Sequence, residues 1–108
     1  MEQNANNESR LKITMNNEGA EYTFVLDGRL DTLTSPDLED QVEEVIEQAE
    51  KLVFDLGKLE YISSAGLRVL LGAAQEMEDS GEMIIRNLTE PVKEVFDVTG
   101  FSNAFQIE

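Results

Sequence analysis

Neither cysteine nor histidine occurs anywhere in the 108 residues. Without cysteine there is no disulfide, no thiolate metal site and no thiol nucleophile. Without histidine, a Ser-His-Asp triad, a Cys-His pair, a histidine-ligated zinc site and imidazole acid–base chemistry are all excluded. No glycine-rich phosphate loop ends in Lys-Ser or Lys-Thr, and no Gly-x-Gly-x-x-Gly follows a strand, so nucleotide binding has no motif here. Ser64 stands between Ile62 and Gly66 rather than between the two glycines of a nucleophile elbow. Carboxylates are plentiful, but among 23 acidic residues some proximity arises by chance and carries no catalytic meaning. The expectation is a protein that is not an enzyme and uses no cofactor and no metal.

Positive charge is also scarce. Eight basic against 23 acidic residues leave a formal charge of −15, a field that repels phosphate backbones and anionic lipid headgroups. Nucleic acid is therefore not an expected partner; acidity of this size serves solubility first and would also speed encounter with a basic protein surface. No apolar run approaches the ~18 residues needed to cross a bilayer, so no direct membrane insertion is expected. Residues 1–9, Met-Glu-Gln-Asn-Ala-Asn-Asn-Glu-Ser, lack the basic start and apolar centre of a secretory signal. They read as a flexible N-terminal arm, residues 10–108 as one domain, and the protein as a cytoplasmic monomer.

With 41% apolar residues in strongly periodic array, the remaining chain has enough material for one core. Leu11, Ile13 and Met15 alternate with polar residues as in a half-buried edge strand. Asn16 to Gly19 make a turn into a second strand with Tyr22, Phe24 and Leu26 on one face, which Gly28 is expected to end. Arg29 to Ser35 reads as loop, with Ser35 as helix cap and Pro36 in the first turn. Leu38, Val42, Val45, Ile46 and Ala49 then form one apolar stripe, opposite a run of acids expected to face solvent. Leu52-Val53-Phe54 within Lys51–Leu56 marks a central buried strand, with Gly57 to Tyr61 as connector.

Leu67, Leu70, Leu71, Ala74 and Met77 recur at helical spacing, and the small residues Gly66, Gly72, Ala73 and Ala74 suit close packing of that helix. Asp79-Ser80-Gly81 supplies its stop, with Gly81 suited to a left-handed cap. Met83–Ile85 is a further buried strand. Thr89-Glu90-Pro91 opens a third helix with Val92, Val95, Phe96 and Thr99 on one face, closed by Gly100 and followed by a loop and a short last strand. This order of elements predicts an α/β (or α+β) fold with a mixed β-sheet.

The organising stretch is Tyr61-Ile62-Ser63-Ser64-Ala65-Gly66-Leu67-Arg68, where an apolar run ends, two hydroxyls appear and a helical pattern begins. A helix start offers unpaired amides and the positive end of the macrodipole, so a hydroxyl or phosphate is favoured there. One serine is accounted for as a cap, whose replacement by alanine typically costs about 1 kcal/mol. The second needs another explanation. With no catalytic partner in the chain, an exposed hydroxyl at this place looks like a substrate.

Asp55-Leu56 followed by Tyr61 to Leu67, together with Leu26-Asp27-Gly28-Arg29-Leu30-Asp31, resembles the signature of the STAS domain of bacterial anti-sigma factor antagonists. The resemblance extends from about Leu11 to the end and implies a mixed sheet with helices packed mainly on one side. It further implies a partner-switching regulator of transcription. Unphosphorylated, such a protein captures a serine kinase that doubles as an anti-sigma factor; phosphorylated on the serine corresponding to Ser64, it lets go, and a phosphoserine phosphatase resets it. Ser63 is the second candidate, because the commonest motif reads Asp-Ser-Ser-Gly or Asp-Ser-Thr-Gly, and here Ser63 replaces the Asp and Ala65 the second hydroxyl. Asp31 matches an acidic position near the phosphorylation site, or else serves as an Asx-type loop residue. The partner-binding set is then Asp31, Ser63, Ser64, Ala65, Gly66, Leu67 and Arg68. The same domain can also act as an unphosphorylated subunit of a transport or sensory assembly, in which case both serines are structural.

Overall fold

The computed structural model describes residues 10–108; the expected N-terminal arm over residues 1–9 lies outside the described residues. Five strands form one sheet in sequential order: β1 (Leu11–Glu18), β2 (Glu21–Leu30), β3 (Lys51–Ile62), β4 (Glu82–Arg86) and β5 (Gln106–Ile107). β1 pairs antiparallel with β2 through a tight turn, and all later neighbours are parallel. Each parallel step is made by a crossover helix: α1 (Ser35–Val45), α2 (Ser64–Met77) and α3 (Glu90–Thr99). Right-handed crossovers that always step in one direction along a sheet leave their helices on the same face. Accordingly, the buried residues of all three helices join Phe24, Leu26, Leu52, Phe54, Leu56, Met83 and Ile85 in a single cluster. The mixed sheet with helices on one side is thus the architecture observed.

The centre of that cluster is built on β2 and β3, where Phe24 and Phe54 occupy paired positions and their rings stack at 5.5 Å. Consecutive Leu52, Val53 and Phe54 are all fully buried, as a central strand requires. Leu52 and Phe54 enter the helix-covered core, while Val53 falls on the opposite face beside Thr23 and Ile84.

Several sequence expectations need correction. Gly28 does not end β2: the strand runs on to Leu30, with Gly28 at φ +120°. A Cβ there would stand 2.3 Å from the Arg10 carbonyl oxygen, so the residue is small because β1's leading end crosses against it. Gly57 to Tyr61 is not a connector but the second half of β3. Its alternation is lost because two register shifts insert extra β3 residues against β2, leaving Leu56, Leu59 and Ile62 buried at a spacing of three.

Ser35 is not the cap of α1; Thr34 flanks the helix without a side-chain bond to it, and the Ser35 hydroxyl donates instead to the Asp31 carbonyl. Gly81 is not a left-handed cap, since α2 closes through right-handed Glu78. Instead, a Cβ on Gly81 would approach the Glu50 carbonyl oxygen to 2.4 Å, where β3 and β4 begin together. Gly72 is exposed, with nothing from the rest of the fold within 4 Å of its missing Cβ, so of the four small residues Gly66, Ala73 and Ala74 serve close packing as expected and Gly72 does not. Met15 is exposed at the open edge of β1. Gly100 does close α3, in the left-handed region at φ +81°.

Candidate functional site

The two loops that leave the C-terminal ends of β2 and β3 lie side by side. Leu30 pairs with Ile62, and the next amide, that of Ser63, donates to the Leu30 carbonyl at 2.9 Å. The start of α2 is thereby fixed against the turn that leads into α1. Gly66 completes the fit, for a Cβ on it would meet Leu30 Cγ at 2.8 Å and Ile62 Cγ1 at 2.9 Å, both on fully buried side chains.

The serines divide two tasks. Ser63 is extended, half-buried and caps α2, its Oγ accepting from the Gly66 amide at a long 3.4 Å. Ser64 is the first helical residue and is exposed. No acceptor among the described residues meets the amides of Ser64 and Ala65, and the first turn of α2 contains no acid. The hydroxyl therefore stands at the positive end of α2 with no nearby carboxylate on its own helix.

Asp31 is organised as the Asx reading supposes. Its Oδ1 accepts from the amides of Leu33 and Thr34 at 3.0 and 3.1 Å and from the Thr34 hydroxyl, and Oδ2 lies 3.2 Å from Arg10 and 3.9 Å from Arg29. Burial pushes this carboxyl up, but the Thr34 and Leu33 amides, the Thr34 hydroxyl and the Arg10 guanidinium together hold it below the ordinary aspartate value. Asp31 thus shapes the turn beside Ser63 as an ionised, largely covered group.

Of the other expected site residues, Ala65 is half-buried and Arg68 exposed, whereas Gly66 and Leu67 face inward, with Leu67 only 2% exposed. The latter two set the position of the helix and offer little side-chain surface. Three neighbours, Arg29, Tyr61 and Leu33, stand outside the expected partner-binding set. Arg29 lies over the Tyr61 ring at 4.5 Å from its centroid, a cation–π contact across paired strands. Leu33, 69% exposed, projects from the same turn that Asp31 braces. An apolar residue off the helical stripe in a polar loop was the available signal for Leu33; the register shift hid the Arg29–Tyr61 pair.

This surface offers the exposed hydroxyls of Ser64 and, across the hollow on the β2–α1 turn, Thr32, with an aromatic ring, an exposed leucine and arginines around them. Among the described residues, no helix is long and apolar enough to cross a membrane.

The model of the STAS domain matches residues 12–108. The chain is 34% identical over 99 residues to BtrV of Bordetella bronchiseptica, covering 90% of this chain and 85% of that protein. It is 32% identical over 93 residues to the Anti-sigma F factor antagonist of Paenibacillus polymyxa, covering 83% and 80% respectively. The crystal structure of an anti-sigma factor antagonist from Mycobacterium paratuberculosis superposes with a TM-score of 0.82 at 19% identity, over 90% of this chain and 84% of that one. At that identity the superposition speaks for the fold alone. The match over nearly all of the described residues, with relatives above 30% identity, makes this chain a member of the STAS domain family.

Proposed function

We propose that this protein is an anti-sigma factor antagonist that works by partner switching and performs no chemistry of its own. In the unphosphorylated state the surface around Ser64, Arg68, Leu33 and the Arg29–Tyr61 pair holds a cytoplasmic serine kinase that is also an anti-sigma factor. The kinase spends ATP to phosphorylate Ser64, the complex dissociates, and a phosphoserine phosphatase restores the binding form. The observation that carries this proposal is the division between the two serines: Ser63 is committed to capping α2, and Ser64 is exposed one residue further on.

Physical chemistry favours a switch without refolding. A phosphoryl group adds about −1.5 to −2 charges and three acceptor oxygens at a helix start that tolerates anions. The same charge and bulk on a surface packed against a partner would weaken the complex. Incubation with the cognate kinase and ATP, followed by mass spectrometry, is expected to place phosphate on Ser64. Ser64→Ala is expected to keep binding the kinase in the presence of ATP, and Ser64→Glu to bind more weakly. Phosphate found on another residue, with Ser64→Ala still an acceptor, would overturn the assignment.

A further inference from the structure

The cation one turn beyond Ser64 has no counter-ion among the described residues. Of the four arginines in the chain, Arg10 and Arg29 lie against Asp31 and Arg86 against Glu108, while Arg68 is exposed and makes no ion pair there. Residues four apart on a helix are surface neighbours, about 5–6 Å between Cβ atoms. An anion on the N-terminal member with a cation on the C-terminal member is the favoured polarity, because each then also matches the macrodipole.

We propose that Arg68 is the intramolecular counter-ion of the phosphate carried on Ser64, in a pair that exists only in the modified protein. This inference rests on the assignment of Ser64 given above. The planar guanidinium presents forked donors that fit two phosphate oxygens at once, which an ammonium does not. Neighbouring groups leave Arg68 available. The cap of α2 is Ser63 rather than a carboxylate, and its first turn is free of acid. Across the cleft, Glu39 of α1 lines the same hollow as Arg68 and is the carboxylate that competes for it. Asp31, from the β2–α1 turn, already holds Arg10 and Arg29.

The pairing has a regulatory consequence. Phosphorylation changes two positions of the recognition surface together, adding a dianion at Ser64 and neutralising the cation at Arg68. A partner that reads Arg68 by its charge thereby loses that contact in the same event.

The test uses the full chain with phosphoserine introduced at position 64 during translation, titrated by phosphorus NMR. Pairing with a cation favours the dianion, so the second phosphate pKa is expected to be higher in Arg68→Gln than with Arg68 present, by roughly 0.2 to 0.4 pH unit. Arg68→Lys is expected to lie between them, and the difference to shrink in about 1 M salt. The unmodified Arg68→Gln protein should melt as the parent does, which separates pairing from a general loss of structure. Identical phosphate titrations with and without Arg68, or a difference that high salt leaves unchanged, would overturn the proposal. Because the phosphate is installed without a kinase, a failure of the kinase to modify Ser64 leaves this titration untouched, and the two ideas fail separately.

Discussion

Two glycines in α2, six residues apart, are expected to respond to the same substitution with opposite signs. In a helix interior, Gly→Ala gains up to about 1 kcal/mol by restricting the unfolded chain and improving helix propensity. At Gly72 nothing opposes that gain, since nothing from the rest of the fold lies within 4 Å of the added Cβ and the position is exposed. At Gly66 the new carbon would stand 2.8 Å from Leu30 Cγ and 2.9 Å from both Leu30 Cδ2 and Ile62 Cγ1. Cγ and Cγ1 are branch-point and inner atoms, not swinging ends, and both side chains are sealed in the core, so the strain must move backbone. Overpacking of this kind costs about 1–3 kcal/mol, and the propensity gain is reduced in the first turn. Gly66→Ala is therefore expected to lose about 1–2 kcal/mol while Gly72→Ala gains up to about 1 kcal/mol. In a domain of this size each kcal/mol moves the Tm by roughly 4–8 °C, which thermal melts followed by circular dichroism resolve, with urea titration supplying the free energies. A Gly66→Ala protein that melts at or above the parent would refute the view that Gly66 exists to seat α2 on β2 and β3. The functional corollary is that Gly66→Ala, by displacing the helix start, slows phosphorylation of Ser64 whereas Gly72→Ala does not.

Further expectations concern the turn and the cap. Asp31 has a folded pKa below its ordinary value of 3.8, so its contribution is fully present above that value and is lost as pH falls through the lowered one. Asp31→Asn should flatten that acid limb of the stability profile and lower stability at neutral pH by about 1–2 kcal/mol; an unchanged limb in acid-melting experiments would remove Asp31 from the account. Gly81→Ala should cost about 1–3 kcal/mol in urea titration, because the obstruction is the Glu50 backbone, and a neutral result would show that β3 and β4 can part at no expense. Ser63→Ala should cost about 0.5–1 kcal/mol, at the low end for a cap because its hydrogen bond is 3.4 Å long, and should still accept phosphate on Ser64. Loss of Ser64 modification in Ser63→Ala, with the fold intact by circular dichroism, would contradict the division of roles between the serines.

The amino-acid sequence by itself determined the element order, because the apolar positions of each helix and of β1 and β2 repeat at the period of their own backbone, while β4 is a short continuous apolar run, and none of these needs a neighbour to be recognised. It also determined the serine-bearing junction, since a run of apolar residues, two hydroxyls and a new helical stripe are all local features. What only the tertiary structure decided were matters of contact between segments distant in the chain. β3 reaches Ile62 because register shifts against β2 set its burial, which no periodicity of its own announces. Gly28, Gly66 and Gly81 are small for different reasons, each supplied by another strand or turn that closes against it. Asp31, Arg10, Arg29 and Tyr61 form one neighbourhood because the end of β2 is bonded to both the entry of β1 and the end of β3. A pattern in sequence reports which face of an element avoids water; which other element covers that face is fixed by packing and backbone pairing.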